Sequence, residues 1–216
     1  NNTGKNSDMK IAVIQSCISP WENWNQNRFQ YLEYLEYYTK KSLQHEPDII
    51  IWSESATLEN ISYHYANGRL NEFERRVLEL AQSAGKPLVT GEIGVAEDHV
   101  HYRRYPQNNA VLIDESGRVV DTYAKINLVP FGEWFPYENW FPFLKELLYK
   151  FGASNFVPGR DPFVFNSLNR KFGVLICYEG IFYRLCRDYK NLGSEFLINI
   201  TNLGWTEGYA GHIQQF

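Results

Sequence analysis

The sequence predicts a single α/β domain in which strands and helices form layers around mixed β-sheets. The chain has 216 residues, of which 44% are apolar, and this is enough for one substantial core. Short runs of β-branched residues also alternate along the chain with segments whose apolar residues have helical spacing. No repeat or linker interrupts residues 9–216, so we expect one domain there, preceded by a polar leader at residues 1–8.

The first part of the chain predicts two strand and helix units. MKIAVIQ (9–15) has the pattern of a strand, and residues 28–44 carry apolar side chains at helical spacing. The β-branched run DIIIWSE (48–54) predicts a short buried strand. An amphipathic helix follows from Leu70 to Ala84, with Gly85 as its stop signal.

The second part predicts a hairpin and then a return to alternating elements. PLVTGEIGV (87–95) and NAVLID (109–114) have strand patterns, and residues 115–117 turn the chain into the further strand RVVDTYAKI (118–126). Five more elements are predicted towards the end of the chain: the strand PFVF (162–165), the turn NSLNRK (166–171), the strand FGVLIC (172–177), a helix near Ile181 to Tyr189, and the strand EFLINIT (195–201).

Composition excludes several classes of function. A net charge of -4 without a basic stripe argues against nucleic-acid binding. The three cysteines, Cys17, Cys177 and Cys186, form no CxxC pair, and their odd number argues against a disulfide framework. Neither a cofactor nor a metal is predicted. No apolar run has the length of a membrane-spanning helix, and the leader does not have the pattern of a signal peptide.

The segment 127–159 is rich in Pro, Gly and aromatic residues and is too long for an ordinary connection, so we expect it to be functional. WFPYENWFPF (134–143) contains six aromatic residues, and LKELLYKFG (144–152) predicts a short amphipathic helix. Elements of this kind are typical of a membrane interface. The alternative is a lid that packs back on the domain.

Three ionisable residues stand where predicted strands end, which is where sites gather in layered α/β folds. They are Glu54, Lys125 and Cys177. A carboxylate base and a nearby cation can activate a thiol, and a fixed ammonium can then stabilise the oxyanion formed when the thiol attacks a carbonyl. The three residues form a plausible acyl-transfer set. Taken singly, each has a plainer interpretation: a loop carboxylate, a solvated hairpin lysine and a buried structural thiol.

The sequence motifs around these residues resemble those of a known family. YAKINLVPFGEWFP (123–136), LICYEG (175–180) and NLGW (202–205) are similar to motifs of the carbon–nitrogen hydrolase, or nitrilase, superfamily. Within it, LVPFGE together with CYE resembles the apolipoprotein N-acyltransferases, which are membrane enzymes. The resemblance implies a nitrilase-like four-layer α-β-β-α sandwich with mixed sheets. It also implies that the sandwich is incomplete at the C-terminus, and that the transmembrane segments of those enzymes are absent from the chain.

The resemblance gives roles to individual residues. It implies that Glu54 is the general base, Lys125 the oxyanion-stabilising cation and Cys177 the nucleophile. Glu92 is a rival base by its position on a strand, but we expect it to satisfy a buried partner. Cys17 and Cys186 match no catalytic position, and we expect them to be packing or half-exposed thiols.

Three residues are expected to support the site by the same resemblance. Glu133 of LVPFGE could hydrogen-bond Lys125 or orient an incoming amine, and Glu179 of CYE could hold the loop after the nucleophile. Structural ion pairs are the alternative for both carboxylates. The backbone N–H of Tyr178 is expected to be an oxyanion donor. The residues expected to contact substrate or membrane are Trp134, Phe135, Trp140, Phe141 and Trp205.

The function implied is N-acyl transfer. A phospholipid would donate a fatty acyl chain to Cys177 as a thioester, and the N-terminal amine of a diacylglyceryl-cysteine lipoprotein would accept it in a ping-pong reaction. The resemblance places such a domain at the bacterial inner membrane, facing the periplasm. Two alternatives stay open: a soluble amidase that uses the same three residues on small carbon–nitrogen substrates, and an inactive binding module, against which the three intact residues argue.

Overall fold

A computed structural model describes residues 9–16, 23–98, 100–130, 132–134, 155–202 and 204. The described residues form eight strands and four α-helices. The strands are β1 (Ile11–Ile14), β2 (Ile49–Trp52), β3 (Leu88–Asp98), β4 (Arg103–Ile113), β5 (Val119–Ala124), β6 (Val164–Ser167), β7 (Arg170–Ile176) and β8 (Phe196–Ile200). The helices are α1 (Trp24–Ser42), α2 (Ile61–Ala66), α3 (Glu72–Ala84) and α4 (Tyr183–Asn191).

The first sheet has the strand order β1-β2-β3-β4-β5. Strands β1, β2 and β3 are parallel, and β4 is antiparallel to both of its neighbours. Strand β5 therefore runs in the same direction as β2, and the carboxyl ends of these two strands lie at the same edge of the sheet. An irregularity between Leu112 and Ile113 shifts the register of β4 against β5. On the N-terminal side of this irregularity in β4, Asn109 pairs with Ala124 of β5.

The second sheet has the order β6-β7-β8, with β6 antiparallel and β8 parallel to β7. The turn between β6 and β7 is shorter than the predicted NSLNRK. Only Leu168 and Asn169 lie outside the strands, and both have positive φ angles of 55° and 58°. Two consecutive residues with positive φ form the tight kind of turn that matches the twist of a hairpin. Asn166 and Arg170 therefore continue the ladder instead of the loop.

The two sheets pack face to face, and helices cover their outer sides. Side chains of both sheets, among them Ile51, Leu112 and Ile176, share one buried cluster, whereas α1 and α3 pack on the other face of the first sheet. On the second sheet, the ring of Tyr189 in α4 packs closely against Gly173 of β7. A Cβ atom on Gly173 would lie only 2.5 Å from this ring. The predicted α/β architecture with layers around mixed sheets is confirmed.

The helix boundaries differ little from the sequence prediction. Helix α3 begins after a capping box formed by Asn71 and Glu74, and it ends at Gly85, whose φ angle is 60°. The prediction missed α2, which has only six residues. The polar leader at residues 1–8 and the amphipathic helix expected at residues 144–152 lie outside the described residues. Of the helices that the structure describes, none combines the length and apolar character needed to cross a bilayer.

Candidate active site

The turn after β2 and the residue after β5 bring Glu54 and Lys125 together, because these strands end at the same sheet edge. The Nζ atom of Lys125 lies 3.5 Å from Oε1 of Glu54, and both side chains are buried. Close packing holds the turn: a Cβ on Gly91 of β3 would lie 2.3 Å from the backbone N of Ser55. The absence of a side chain at Gly91 is therefore what lets β3 approach the turn that carries Glu54.

Glu133 supplies a second carboxylate to the same ammonium group. Its Oε1 lies 2.8 Å from Nζ of Lys125, and its Oε2 accepts a hydrogen bond from the backbone N–H of Val129 at 2.9 Å. Burial acts to lower the pKa of Lys125, but the negative charges of Glu54 and Glu133 raise the pKa above its ordinary value. Lys125 is thus a buried, charged ammonium, not a solvated hairpin lysine.

Asn108 of β4 also joins this cluster, and the sequence prediction missed it. Its Nδ2 group donates to Oε1 of Glu54 at 2.9 Å and to Oε1 of Glu133 at 2.8 Å. The backbone N–H of Asn202, just after β8, donates to the other oxygen of Glu54 at 3.1 Å. The feature that places Asn108 beside Lys125 is the pairing of β4 with β5, because the backbone carbonyl of Asn108 accepts the backbone N–H of Lys125 at 2.8 Å.

Cys177 follows the last residue of β7 and begins a 3-10 helix that ends at Ile181. Its φ angle is +53°, a left-handed conformation that is uncommon for a residue with a side chain and often found at functional sites. The side chain is partly buried. Burial, reinforced by the charge of Glu54 and partly offset by that of Lys125, raises the pKa of Cys177 to about 11. The charges of Glu54 and Lys125 therefore both act on the thiol.

Glu179 connects the loop that begins at Cys177 to the loop that follows Lys125. Its carboxylate is fully buried, and Oε2 accepts the backbone N–H of Ile176 at 2.9 Å. Oε1 accepts three further hydrogen bonds, from Tyr123 Oη at 2.8 Å, Ile126 N at 2.8 Å and Asn127 N at 3.1 Å. Burial raises the pKa of Glu179, and these hydrogen bonds oppose that shift.

A family model for carbon-nitrogen hydrolases matches residues 10–216, nearly the whole chain. The chain belongs to the carbon–nitrogen hydrolase family. A protein of this family from Geobacter metallireducens, named apolipoprotein N-acyltransferase, is 30% identical over 198 residues, which are 91% of this chain and 36% of that protein. A protein of the same name from Chlorobaculum tepidum is 29% identical over 91% of this chain and 40% of its own length. The chain thus spans about two fifths of the length of these curated relatives.

Solved structures support the fold of this carbon–nitrogen hydrolase domain. A cysteine-to-alanine mutant of the Nesterenkonia AN1 amidase, described as a member of the nitrilase superfamily, superposes with a TM-score of 0.63. The match covers 93% of this chain and 68% of the amidase, at 20% sequence identity. At this identity the likeness establishes the layered fold, and it does not establish the substrate.

Glu92, the rival base, lies on the other face of the first sheet of the carbon–nitrogen hydrolase domain. It pairs in register with Asn109, whereas the neighbouring Asn108 faces the cluster of Glu54 and Lys125. Glu92 accepts hydrogen bonds from the hydroxyl of Ser62 and, at 2.9 Å, from its backbone N–H. Glu92 is therefore a buried carboxylate held by the partly buried Ser62, on the face of the sheet away from Glu54 and Lys125.

The aromatic residues expected to contact substrate or membrane are described only in part. Trp134 is 45% exposed, whereas Phe135, Trp140, Phe141 and Trp205 lie outside the described residues, as does Cys17. Apolar exposure continues after Cys177, where Ile181 and Tyr183 are 64% and 68% exposed. Cys186, on α4, packs against the buried cluster that includes Leu185 and Tyr189 of the same helix. Tyr178, which follows Cys177, keeps an exposed side chain.

Proposed function

We propose that residues 9–216 form the extracytoplasmic catalytic domain of an N-acyltransferase that carries its acyl group on Cys177. The observation that carries this proposal is the cluster beside the thiol: one buried ammonium, Lys125, held by two carboxylates, Glu54 and Glu133. Such a cluster supplies a base, an oxyanion partner and a nucleophile in one place. The relatives named apolipoprotein N-acyltransferase support acyl transfer as the reaction class.

The first half-reaction is the acylation of Cys177. A pKa of about 11 means that the resting group is a thiol, so its proton has to leave as the sulfur attacks. Glu54 accepts this proton while the S–C bond to the ester carbonyl of a phospholipid forms. The ester C–O bond then breaks, the leaving alkoxide takes the proton back from Glu54, and a lysophospholipid departs. The product is a thioester on Cys177.

The second half-reaction transfers the acyl group. The amine of a diacylglyceryl-cysteine lipoprotein attacks the thioester carbonyl, and Glu54 accepts a proton from the amine. The C–S bond breaks, the thiolate recovers that proton, and an amide is released. Water in place of the amine would hydrolyse the thioester, so the site has to exclude it.

Two donors are positioned to stabilise the negative oxygen of each tetrahedral intermediate. The Lys125 ammonium is the first. The backbone N–H of Tyr178 is the second, because Tyr178 lies in the first turn of the 3-10 helix, where N–H groups have no acceptor within the helix. Glu133 anchors the ammonium through the close ion pair of 2.8 Å, and Glu179 links the two loops through its hydrogen bonds.

A lipid substrate accounts for the apolar surface next to the nucleophile. Ile181 and Tyr183 are exposed within six residues of Cys177, and Trp134 is exposed beside Glu133. We propose that these side chains contact acyl chains at a membrane interface together with the aromatic residues Phe135, Trp140, Phe141 and Trp205. By its resemblance to the relatives named apolipoprotein N-acyltransferase, we also propose that this domain lies at the bacterial inner membrane and faces the periplasm.

Intact-protein mass spectrometry after incubation with phospholipid vesicles tests the proposal. We expect a fatty-acyl adduct on the wild-type chain and on Cys186→Ala, the matched control, and no adduct on Cys177→Ala. Acylation that persists in Cys177→Ala would remove this residue from the mechanism. Release of ammonia from small amides, rapid and without any phospholipid, would instead support the amidase alternative.

A further inference from the structure

The amide group of Asn108 lies between the two carboxylates that share Lys125. Its Nδ2 uses one N–H for Glu54 and the other for Glu133, at 2.9 and 2.8 Å. Because both partners are acceptors, the orientation of the amide is fixed by its surroundings. Among the described residues the carbonyl Oδ1 of Asn108 has no hydrogen-bond partner, although the atom is buried.

The two carboxylates differ in how they meet the ammonium. Glu133 lies 2.8 Å from Nζ of Lys125, within a close ion pair, whereas Glu54 lies at 3.5 Å, the long limit of a hydrogen bond. The Glu54 oxygen that faces Lys125 is the one that accepts from Asn108. The same Nδ2 also donates to the Glu133 oxygen that pairs with Lys125, so the amide is held between the two carboxylates and competes with the ammonium for the Glu54 oxygen.

We propose that Asn108 is a positioning residue that keeps Glu54 out of a close ion pair with Lys125 and so leaves Glu54 able to accept the proton of Cys177. The inference rests on the proposed function only in that Glu54 is the base. Without the amide, Glu54 would move onto the ammonium, and a carboxylate neutralised in this way is a poor proton acceptor. The acyl donor and the acyl acceptor do not enter the argument.

Asn109 provides a matched control on the same strand. It is the same residue type at the next position, it is buried, and its amide serves a buried carboxylate, Glu92, on the opposite face of β4. Its Oδ1 is also without a partner among the described residues. Truncation of Asn109 therefore reproduces the loss of a buried strand amide without touching the cluster around Lys125.

The acylation of Cys177 by p-nitrophenyl butyrate, followed as the burst of nitrophenolate, tests the role of Asn108 without a phospholipid. We expect Asn108→Ala to lower the acylation rate constant on the order of tenfold to a hundredfold with little change in the half-saturating ester concentration. Asn109→Ala should change the rate constant less than about twofold. Asn108→Ser, which keeps one donor, should fall between wild type and Asn108→Ala, and it also serves if Asn108→Ala does not fold.

A double-mutant cycle with Glu54→Gln separates positioning from a general structural effect. If Asn108 acts through Glu54, adding Asn108→Ala to Glu54→Gln should lower the residual rate less than about twofold. An equal loss in both backgrounds, or the same loss in Asn109→Ala, would overturn the proposal. If the cycle behaves as expected while phospholipid vesicles leave no adduct, the role of Asn108 stands and the proposed lipid substrate fails.

Discussion

The carboxylate of Glu179 accepts the backbone N–H of Ile126, the residue directly after Lys125, at 2.8 Å. Through its second oxygen the same side chain holds Ile176, the residue directly before Cys177. One buried side chain thus fixes the spacing of Lys125 and Cys177, which follow strands of different sheets. Because Glu179 lies two residues after Cys177, both contacts arise from the loop that Cys177 begins.

Replacing Glu179 with Gln should destabilise the fold and slow the acylation of Cys177. In the wild type both oxygens of Glu179 accept backbone N–H groups. In the variant, the NH₂ group of glutamine would replace one of these oxygens and could not accept, so buried N–H donors would lose their partner at a cost of about 1–3 kcal/mol. Urea denaturation measures the stability and the nitrophenyl ester burst measures acylation. Tyr123→Phe is the control, because it removes one donor to Glu179 and leaves the backbone contacts in place. Equal acylation rates in wild type and Glu179→Gln would contradict this role.

Replacing Lys125 with Met should cost about 3–5 kcal/mol of folding free energy, because Glu54 and Glu133 would remain buried together without their cation. Urea denaturation near neutral pH provides the measurement. The matched control is Arg170→Met, which breaks an ion pair of 2.8 Å with Glu195 at the surface. That pair is partly solvated, so its loss should cost no more than about 1 kcal/mol. Similar losses for the two variants would argue against a charged Lys125.

Replacing Glu54 with Gln should change two reactions of Cys177 in opposite directions. Removal of a negative charge lowers the pKa of the thiol from about 11, so alkylation by iodoacetamide at pH 8 should become several-fold faster. Acylation by an ester should become slower on the order of 10²-fold or more, because the base is lost. Mass spectrometry follows both adducts, with Cys177→Ala as the blank. A parallel decrease in both rates would point to a distorted loop, not to a lost base.

Glu92 should make the wild-type fold less stable as the pH rises from about 4.5 to about 7. Burial, reinforced by the charge of Glu74 and opposed by hydrogen bonds from Ser62, raises the pKa of Glu92 from 4.5 to about 7. In that window the folded chain binds more protons at this site than the unfolded chain does, so stability falls with pH. The Glu92→Gln variant lacks this contribution to the pH dependence of stability. Its free energy of unfolding, relative to that of the wild type, should therefore increase by up to about 1.4 kcal/mol for each pH unit in this window.

Urea denaturation of both proteins at pH 5, 6, 7 and 8 checks the sign. Asp114→Asn is the control, since hydrogen bonds from Ser116 and Arg118 outweigh burial and lower the pKa of Asp114 to about 2. The contribution of Asp114 is lost only as the pH falls towards that value, so the effect of Asp114→Asn should be constant from pH 5 to 8. A stability difference between Glu92→Gln and wild type that does not vary with pH would contradict a raised pKa at Glu92.

The sequence predicted those parts of the fold that follow from local pattern. The periodic apolar residues of α3 and its stop at Gly85 predict a helix that the structure contains almost unchanged. Strong β-branched runs predict β2 and β7 in the same way. Helix α2 was missed because its six residues are too few to show a period.

The candidate site was predictable where a motif or a strand end marked it. Glu54 and Lys125 end runs that have strand patterns, and the structure brings the two side chains together. Asn108 carried no such signal, because its importance depends on the pairing of β4 with β5 and on which face of β4 it occupies. Register of this kind arises from long-range pairing and is not visible in local pattern.

Because side chains alternate between the two faces of β4, the neighbouring residues Asn108 and Asn109 have different partners. Asn108 and Asn109 both present an amide to a buried carboxylate, but Asn108 contacts the cluster around Lys125 and Asn109 contacts Glu92 on the opposite face of the sheet. Odd-numbered and even-numbered residues of β4 therefore lie on opposite faces of the sheet. Deleting one residue of β4 ahead of Asn108 would move Asn109 to the face of Glu54 and put Ala110 opposite Glu92, so only one of the two carboxylates would keep an amide partner.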